Sequence, residues 1–408
     1  MNICMILEGP FPPDIRVKKE AKALISKGHN VFLLSLIKNG LPAFEKLYGL
    51  KIIRIKISPK GILRLWNYIS SIIFFYRPCW KKELIKTVKK YKIEAIHVHD
   101  FPLVKTATFV AHKFKIPIIA DLHENYPEAI KAWRVRRRKL NQIIHNPSPV
   151  WQYKKMEKPV LKHVNHIITV VEESKNHYQK DCEIPQNKIT VVMNTENLEQ
   201  FDNLKLDESL ISSYKNDFVI SYIGGFGIHR GIDTAIKSLP KIIKIIPNAK
   251  LLLVGNRSNE DILYLKRLVK KFKVEDHVVF TGWVDFSMVP SYIILSKICL
   301  VPHQANGHTN TTIPHKLFQY MAMKKPVIVT NCRPLERIVK ECNCGVVVTS
   351  DNFDKMADAV IFLYKNKEKI EKFGKNGREA VEKVYNWKLE AEKLSKVYEE
   401  LEKLKSSS

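Results

Sequence analysis

The sequence predicts an α/β protein built of two doubly wound, Rossmann-like domains in series. Three observations carry this. Short apolar runs alternate with amphipathic stretches as far as about residue 348. The alternation resets once, across a polar and weakly periodic stretch at 202–216. A length of 408 residues with 45% apolar content is enough for two hydrophobic cores.

In order, the first alternation predicts strands at 2–7, 30–36, 52–57, 94–98, 117–121, 166–171 and 188–193. Helices lie between them, one over 15–27 ending at Gly28 and another over 101–114. The second begins at Phe218, with strands near 219–223, 250–254, 278–281, 298–301, 327–330 and 346–348. Residues 353–405 are charge-laced and helical. The expected domains are 1–200 and 218–385, joined by a linker at 201–217, with a terminal helix over 386–408. Two such sheets in series place a cleft between the domains.

No window approaches the apolar length of a membrane span. The best, at 65–76, is interrupted by Asn67, Ser70 and Ser71. The first ten residues lack the charged start of a signal peptide and read as a core strand. Seven cysteines at irregular spacing point to reduced thiols and a cytoplasmic protein. Cys342 and Cys344 form a lone pair without further ligands, so no metal site is expected there.

The net charge of +27 is concentrated: residues 51–150 hold 21 Lys and Arg against 6 Asp and Glu. Within 61–92, Arg64, Arg77, Lys81, Lys82, Lys86, Lys89, Lys90 and Lys92 interleave with Trp66, Tyr68, Phe74, Phe75, Tyr76 and Trp80. A second run at 131–139 sets Lys131, Arg134, Arg136, Arg137, Arg138 and Lys139 around Trp133. Cations beside aromatics suit an anionic membrane face. Nucleic acid is the competing partner, disfavoured because no recognition helix, zinc finger or RNP-like pattern occurs.

Four segments are candidates for chemistry. Residues 314–322 (PHKLFQYMA) join a polar loop to a short helix, with Lys316 at the helix start. Such a start suits an anion, although the pattern alone also fits an ordinary loop-helix-strand unit. Residues 224–231 (GGFGIHRG) follow a strand and precede a helix, where glycines admit a ligand close to the backbone. Residues 118–128 (IIADLHENYPE) set His123 just past a strand end, which equally fits a structural hydrogen bond. His97 and His99 share one strand face and, with no third ligand named by spacing, read as cleft lining.

The 314–329 segment resembles the nucleotide-sugar segment of GT-B retaining glycosyltransferases of the family-four type (group 1 glycosyltransferases). That segment has the form P-x-K-hydrophobic-hydrophobic-E-Y-M-A-x-x-x-P-V. The 224–231 loop resembles the family's G-R-x-x-x-x-K-G, and 121–123 its strand-end D-x-H. The resemblance spans nearly the whole chain, is specific over 218–348, and is looser in the first half.

The resemblance implies a GT-B fold whose last helix crosses back onto the N-terminal domain. It implies retaining transfer from a nucleoside-diphosphate sugar, of the hexosyltransferase type, with His123, Arg230 and Lys316 as catalytic groups. Donor contacts would come from Gly224, Gly225, Val284, Thr311, Thr312, Ile313 and Gln319. Gly9 and Arg16 would meet the acceptor or a second phosphate.

Three positions depart from the family pattern. Gln319 and Thr311 replace its paired glutamates, and Gly225 replaces a loop arginine, for which Arg16 is a candidate substitute. No D-x-D occurs, in keeping with diphosphate neutralised by cations and helix N-termini rather than a metal. No cofactor is expected. The expected acceptor is a lipid-linked or membrane-anchored glycan, with the enzyme peripheral on the inner face of the cell membrane. A GT-B nucleotide-sugar epimerase and a catalytically silent membrane or nucleic-acid binding relative are the alternatives.

Overall fold

The computed structural model describes the chain apart from residues 13, 39, 57–68, 71–74, 135–148, 257 and 407–408. It forms two compact units, Met1–Met193 with Glu390–Ser408, and Asn194–Leu389. The chain therefore passes between units after 193 and after 389, where the sequence suggested 200 and 385. The stretch expected as a linker carries short helices, Leu198–Asp202 and Glu208–Ser213, and belongs to the second unit. Its polarity is that of surface helices held by side chains. Arg378 grips both Asp202 carboxylate oxygens at 2.7 Å, and Asp207 N–H donates to Ser291 Oγ at 2.8 Å.

The first unit holds an eight-stranded sheet. Its strands are β1 (Asn2–Pro10), β2 (Asn30–Leu36), β3 (Phe44–Leu47), β4 (Leu50–Ile55), β5 (Ala95–His99), β6 (Ile118–Leu122), β7 (His166–Thr169) and β8 (Ile189–Val191). The order is β3-β4-β2-β1-β5-β6-β7-β8, parallel throughout except for β3 against β4. Strand β3 was not anticipated. Its sequence, FEKL, alternates between exposed and half-buried positions and has no apolar run. The central strands are buried on both faces; β1 and β2 carry near-continuous apolar runs, while β5 and β6 also bury His97, His99 and Asp121.

The second unit holds six parallel strands: β9 (Phe218–Ile223), β10 (Ala249–Val254), β11 (Val278–Gly282), β12 (Ile298–Val301), β13 (Val327–Thr330) and β14 (Gly345–Val348). Their order, β11-β10-β9-β12-β13-β14, makes the β9/β12 boundary the point where successive crossovers leave in opposite directions. Ligands of open α/β sheets bind beyond the carboxyl ends of the strands at such a point.

The final helix, Trp387–Ser406, begins in the second unit and continues into the first. There it buries Leu394, Val397, Tyr398 and Leu401. Among the described residues no helix is long and apolar enough to cross a membrane.

The basic-aromatic surface expected at 61–92 is altered by burial. Phe75 and Trp80 belong to the first core, packed with Leu84 and Val88. An amphipathic helix, Pro78–Tyr91, turns Trp80 inward and leaves Lys82, Lys86, Lys89 and Lys90 exposed. Trp133 packs half-buried against that core and edge-on to Tyr126. Arg64, Trp66, Tyr68 and Phe74 lie outside the described residues, as do Arg136, Arg137, Arg138 and Lys139.

Candidate functional site

In the second unit, three strand ends meet through glycines. Gly224, Gly255 and Gly282 follow or close β9, β10 and β11, with φ of +132°, +127° and +74°. A Cβ on Gly255 would overlap the Gly224 carbonyl, so the backbones approach as only glycine allows. Gly224 N–H donates to Val254 O at 2.8 Å, and Gly255 N–H to Gly282 O at 2.9 Å. Gly231, with φ of +64°, closes the loop where a Cβ would collide with the Pro302 carbonyl.

Two cations converge on this loop. A Cβ at Gly224 would sit 2.7 Å from Lys316 Nζ. That ammonium lies 3.5 Å from the centroid of the Tyr222 ring, and Tyr222 Oη–H donates to Gly225 O at 2.8 Å. Lys316 Nζ is buried and has no hydrogen-bond partner among the described residues. Burial, and then the charge of Arg230, hold its pKa well below the usual 10.5. Arg230 Nη1 donates to His303 Nε2 at 3.2 Å, and His303 stands just past β12. Burial and the nearby Arg230 and Lys316 charges hold His303 well below 6.5, so it is the neutral acceptor. Among the described residues, neither Lys316 nor Arg230 has a carboxylate ion-pair partner.

Other expected donor contacts lie differently. The helix spans Lys316–Ala322, so Thr312 and Ile313 precede it instead of forming its first turn. Its first N–H groups are already used: Leu317 donates to Pro314 O at 3.2 Å and Phe318 to His315 O at 3.1 Å. Charge on a bound anion therefore falls to side chains more than to the helix end. Thr311 Oγ–H donates to Gly307 O at 2.8 Å, holding its own loop. Gln319 is 6% exposed, and its Nε2 donates to Glu196 Oε2 at 2.9 Å. Glu196 Oε2 is also 3.1 Å from His315 Nε2. Val284 is half-buried after β11, beside Trp283, which is 75% exposed. At Gly225 a Cβ would meet nothing nearer than Asn256 O, at 3.8 Å.

In the first unit, Gly9 lies within β1, and Arg16 lies in the first turn of the helix Ile15–Ser26. Asp14 caps that helix and grips Arg16, with Nη2 3.0 Å from Oδ2. His123 is 2% exposed, and its Nε2 lies 2.8 Å from Asp121 Oδ2. The imidazole expected at the sugar is turned into a buried cluster with His97, His99 and Glu20. The register that sets His99 opposite Asp121 builds that cluster. Period-two alternation adds His97 on β5 and His123 beyond β6.

Sequence reasoning did not find Glu196, His303, Tyr222 or Glu20. Each acts through a contact distant in the chain, and none sits in a motif. Strand-end position was the one available signal, for His303.

Comparison with known proteins places the chain. Residues 207–380 match the family described as Glycosyl transferases group 1, and residues 15–200 match Glycosyltransferase Family 4. The chain belongs to the group 1 glycosyltransferases. This group 1 member is 21% identical over 270 residues to an uncharacterized glycosyltransferase of Methanocaldococcus jannaschii, covering 64% of the chain and 65% of that relative. It is 27% identical over 255 residues to the capsular polysaccharide biosynthesis glycosyltransferase CapM of Staphylococcus aureus, covering 60% and 63%.

A third relative is the GDP-mannose-dependent α-(1-6)-phosphatidylinositol monomannoside mannosyltransferase of Mycobacterium tuberculosis. It is 29% identical over 168 residues, covering 41% and 43%. The matches thus span less than two thirds of each relative's length. Among solved structures, sucrose-phosphate synthase of Thermosynechococcus elongatus shares the fold with a TM-score of 0.79 at 19% identity, covering both chains fully. The Anabaena protein HepE, crystallised with UDP-glucose, gives 0.74 at 12% identity over 98% of this chain and 100% of its own. The GT-B architecture of this group 1 glycosyltransferase follows from these neighbours and from its two sheets, parallel apart from the edge strand β3.

Proposed function

We propose that the protein is a retaining glycosyltransferase that moves a hexose from a nucleoside-diphosphate sugar to a hydroxyl of a lipid-linked or membrane-anchored glycan. The observation that carries this reading is the pair Lys316 and Arg230, two cations without carboxylate partners among the described residues, gathered at the glycine-lined end of β9. Burying an ammonium is costly even over an aromatic ring, and a diphosphate would relieve it.

As the bond from the anomeric carbon to the diphosphate oxygen breaks, negative charge grows on the leaving group. In this reading Lys316 and Arg230 stabilise that charge. The leaving oxygen takes the acceptor's proton on the same face, so configuration is kept and no protein nucleophile is needed. The reading requires no metal on the diphosphate.

Three further points support the reading. CapM is named for capsular polysaccharide biosynthesis, and the mycobacterial relative for a phosphatidylinositol-linked acceptor. The HepE neighbour was crystallised with UDP-glucose. Exposed Lys82, Lys86, Lys89 and Lys90 on one helix suit an anionic lipid surface.

The test is incubation with UDP-, GDP- and ADP-hexoses and lipid-linked saccharide acceptors. Arg230→Ala and Lys316→Ala are each expected to lower kcat about 10²- to 10³-fold while remaining folded. Full activity in both would refute the assignment, and conversion of a donor to its epimer without acceptor would replace it.

A further inference from the structure

We propose that the first unit holds a divalent transition-metal ion, bound by His99, His123, Asp121 and Glu20, with His97 as a further nitrogen donor. The donors come from three separate elements: Glu20 from the helix Ile15–Ser26, His97 and His99 from β5, and Asp121 and His123 from β6 and the residue immediately beyond it. All five side chains are buried, none more than 4% exposed.

The atoms crowd onto one point in a way that hydrogen bonding does not account for. Three imidazole nitrogens surround a single oxygen, Asp121 Oδ2: His123 Nε2 at 2.8 Å, His99 Nδ1 at 3.1 Å and His97 Nε2 at 3.2 Å. An oxygen with two lone pairs does not satisfy three such donors, yet Asp121 Oδ1 has no hydrogen-bond partner among the described residues. His99 Nδ1 approaches Oδ2 off the line a ring N–H would take. Glu20 Oε2 also lacks a hydrogen-bond partner, while lying 3.5 Å from His97 Nε2 and 3.9 Å from His99 Nδ1.

One donor atom from each of Glu20, His99, Asp121 and His123 can be chosen so that all lie within 4.8 Å of one another. Nitrogen and oxygen ligands about 2.1 Å from one ion stand about 3.0–3.4 Å apart in octahedral or tetrahedral geometry. The measured approaches fall around that range. Imidazoles with carboxylates suit zinc, iron, cobalt or manganese better than magnesium or calcium.

Charge and orientation agree. Two buried carboxylates balance one divalent ion. Tyr398 Oη lies 2.8 Å from His97 Nδ1, fixing that ring with Nε2 toward the cluster, as outer groups do for metal-ligating histidines. The ion would tie the first helix, β5 and β6 together and, through Tyr398, the last helix as well. It stands apart from the donor reading, because all of these residues belong to the first unit.

The test uses the full chain without an affinity tag, stripped with chelator and then offered Zn²⁺ or Co²⁺. One equivalent of ion should survive gel filtration and raise the Tm. Absorption of the Co²⁺ form and X-ray absorption fine structure should show an imidazole-containing shell. His99→Gln and Glu20→Gln should each lose the retained ion, while His177→Gln, in a smaller group with Glu157 and Cys182, should keep it. Substoichiometric uptake, uptake unchanged in both cluster variants, or loss in His177→Gln alone would overturn the site. Should the cluster variants fail to fold, the shell of the unaltered protein decides: one without imidazole refutes the proposal.

Discussion

Gln319 Nε2 donates to Glu196 Oε2 across 2.9 Å, joining a helix of the second unit to the turn that begins it. The family pattern has glutamate at position 319, and here the neighbouring carboxylate explains the amide. Two buried carboxylates at that separation would repel, whereas an amide satisfies Glu196 and leaves its charge intact.

Restoring the family residue should therefore harm this protein. Gln319→Glu is expected to cost roughly 1–3 kcal/mol of stability, and the exchange Gln319→Glu with Glu196→Gln to recover most of it. Denaturant melts of the two single variants and the double variant measure the coupling. Equal stability of Gln319→Glu and the parent would show that the pair is not what selects the amide.

The glycines of the 224–231 loop divide by the space around them. Gly225 has an ordinary φ and no neighbour inside 3.8 Å, so Gly225→Arg should fold and supply the cation the family carries there. Calorimetry should find UDP or GDP bound about 10-fold tighter, the worth of one charged hydrogen bond. Gly231→Ala should instead lose at least roughly 1–3 kcal/mol, since its left-handed φ is strained and the Pro302 carbonyl blocks the Cβ. An unfoldable Gly225→Arg beside a stable Gly231→Ala would invert this account.

Lys316 predicts a proton coupled to donor binding. Its pKa is depressed in the free protein, so between that lowered value and the unfolded 10.5 the native side chain is neutral. A bound diphosphate favours the ammonium, so binding in this window takes up a proton and weakens as pH rises. Binding enthalpies should vary with the ionisation heat of the buffer for the parent and not for Lys316→Met. A parent enthalpy that ignores the buffer would contradict the burial of that charge.

His303 sets an acid limit on the same site. Its pKa is lowered, so below 6.5 the unfolded chain binds a proton that the native chain refuses, and stability falls as pH drops. The slope attributable to this residue approaches about 1.4 kcal/mol per pH unit. Protonation would also end the bond from Arg230 and set two cations together. Comparing unfolding free energies of the parent and His303→Gln from pH 7 to 5 isolates the effect, and parallel curves would exclude it.

Much of the fold was legible because parallel strands buried on both faces must be apolar runs. The strands at 30–36, 298–301 and 327–330 stand where the runs stand. Strand β3 was not legible, because an edge strand half in water carries no run. Lys316 and Arg230 were readable from local wording. Their partners Tyr222 and His303, and the carboxylate behind Gln319, were not, since no spacing rule links them. Trp80 and Phe75 show the converse error: a basic-aromatic pattern reads as surface until the helix is seen to turn its aromatic side inward.

The first unit is discontinuous: residues 1–193 are completed by the segment from Glu390 onward. On the ribosome, its eight strands are all translated long before Leu394, Val397, Tyr398 and Leu401 arrive to cover their part of the core. The second unit, an uninterrupted stretch, can finish first. Assembly of the first unit therefore ends with the last helix, and a chain released a few turns early would carry an uncovered apolar groove and a His97 ring without its tyrosine.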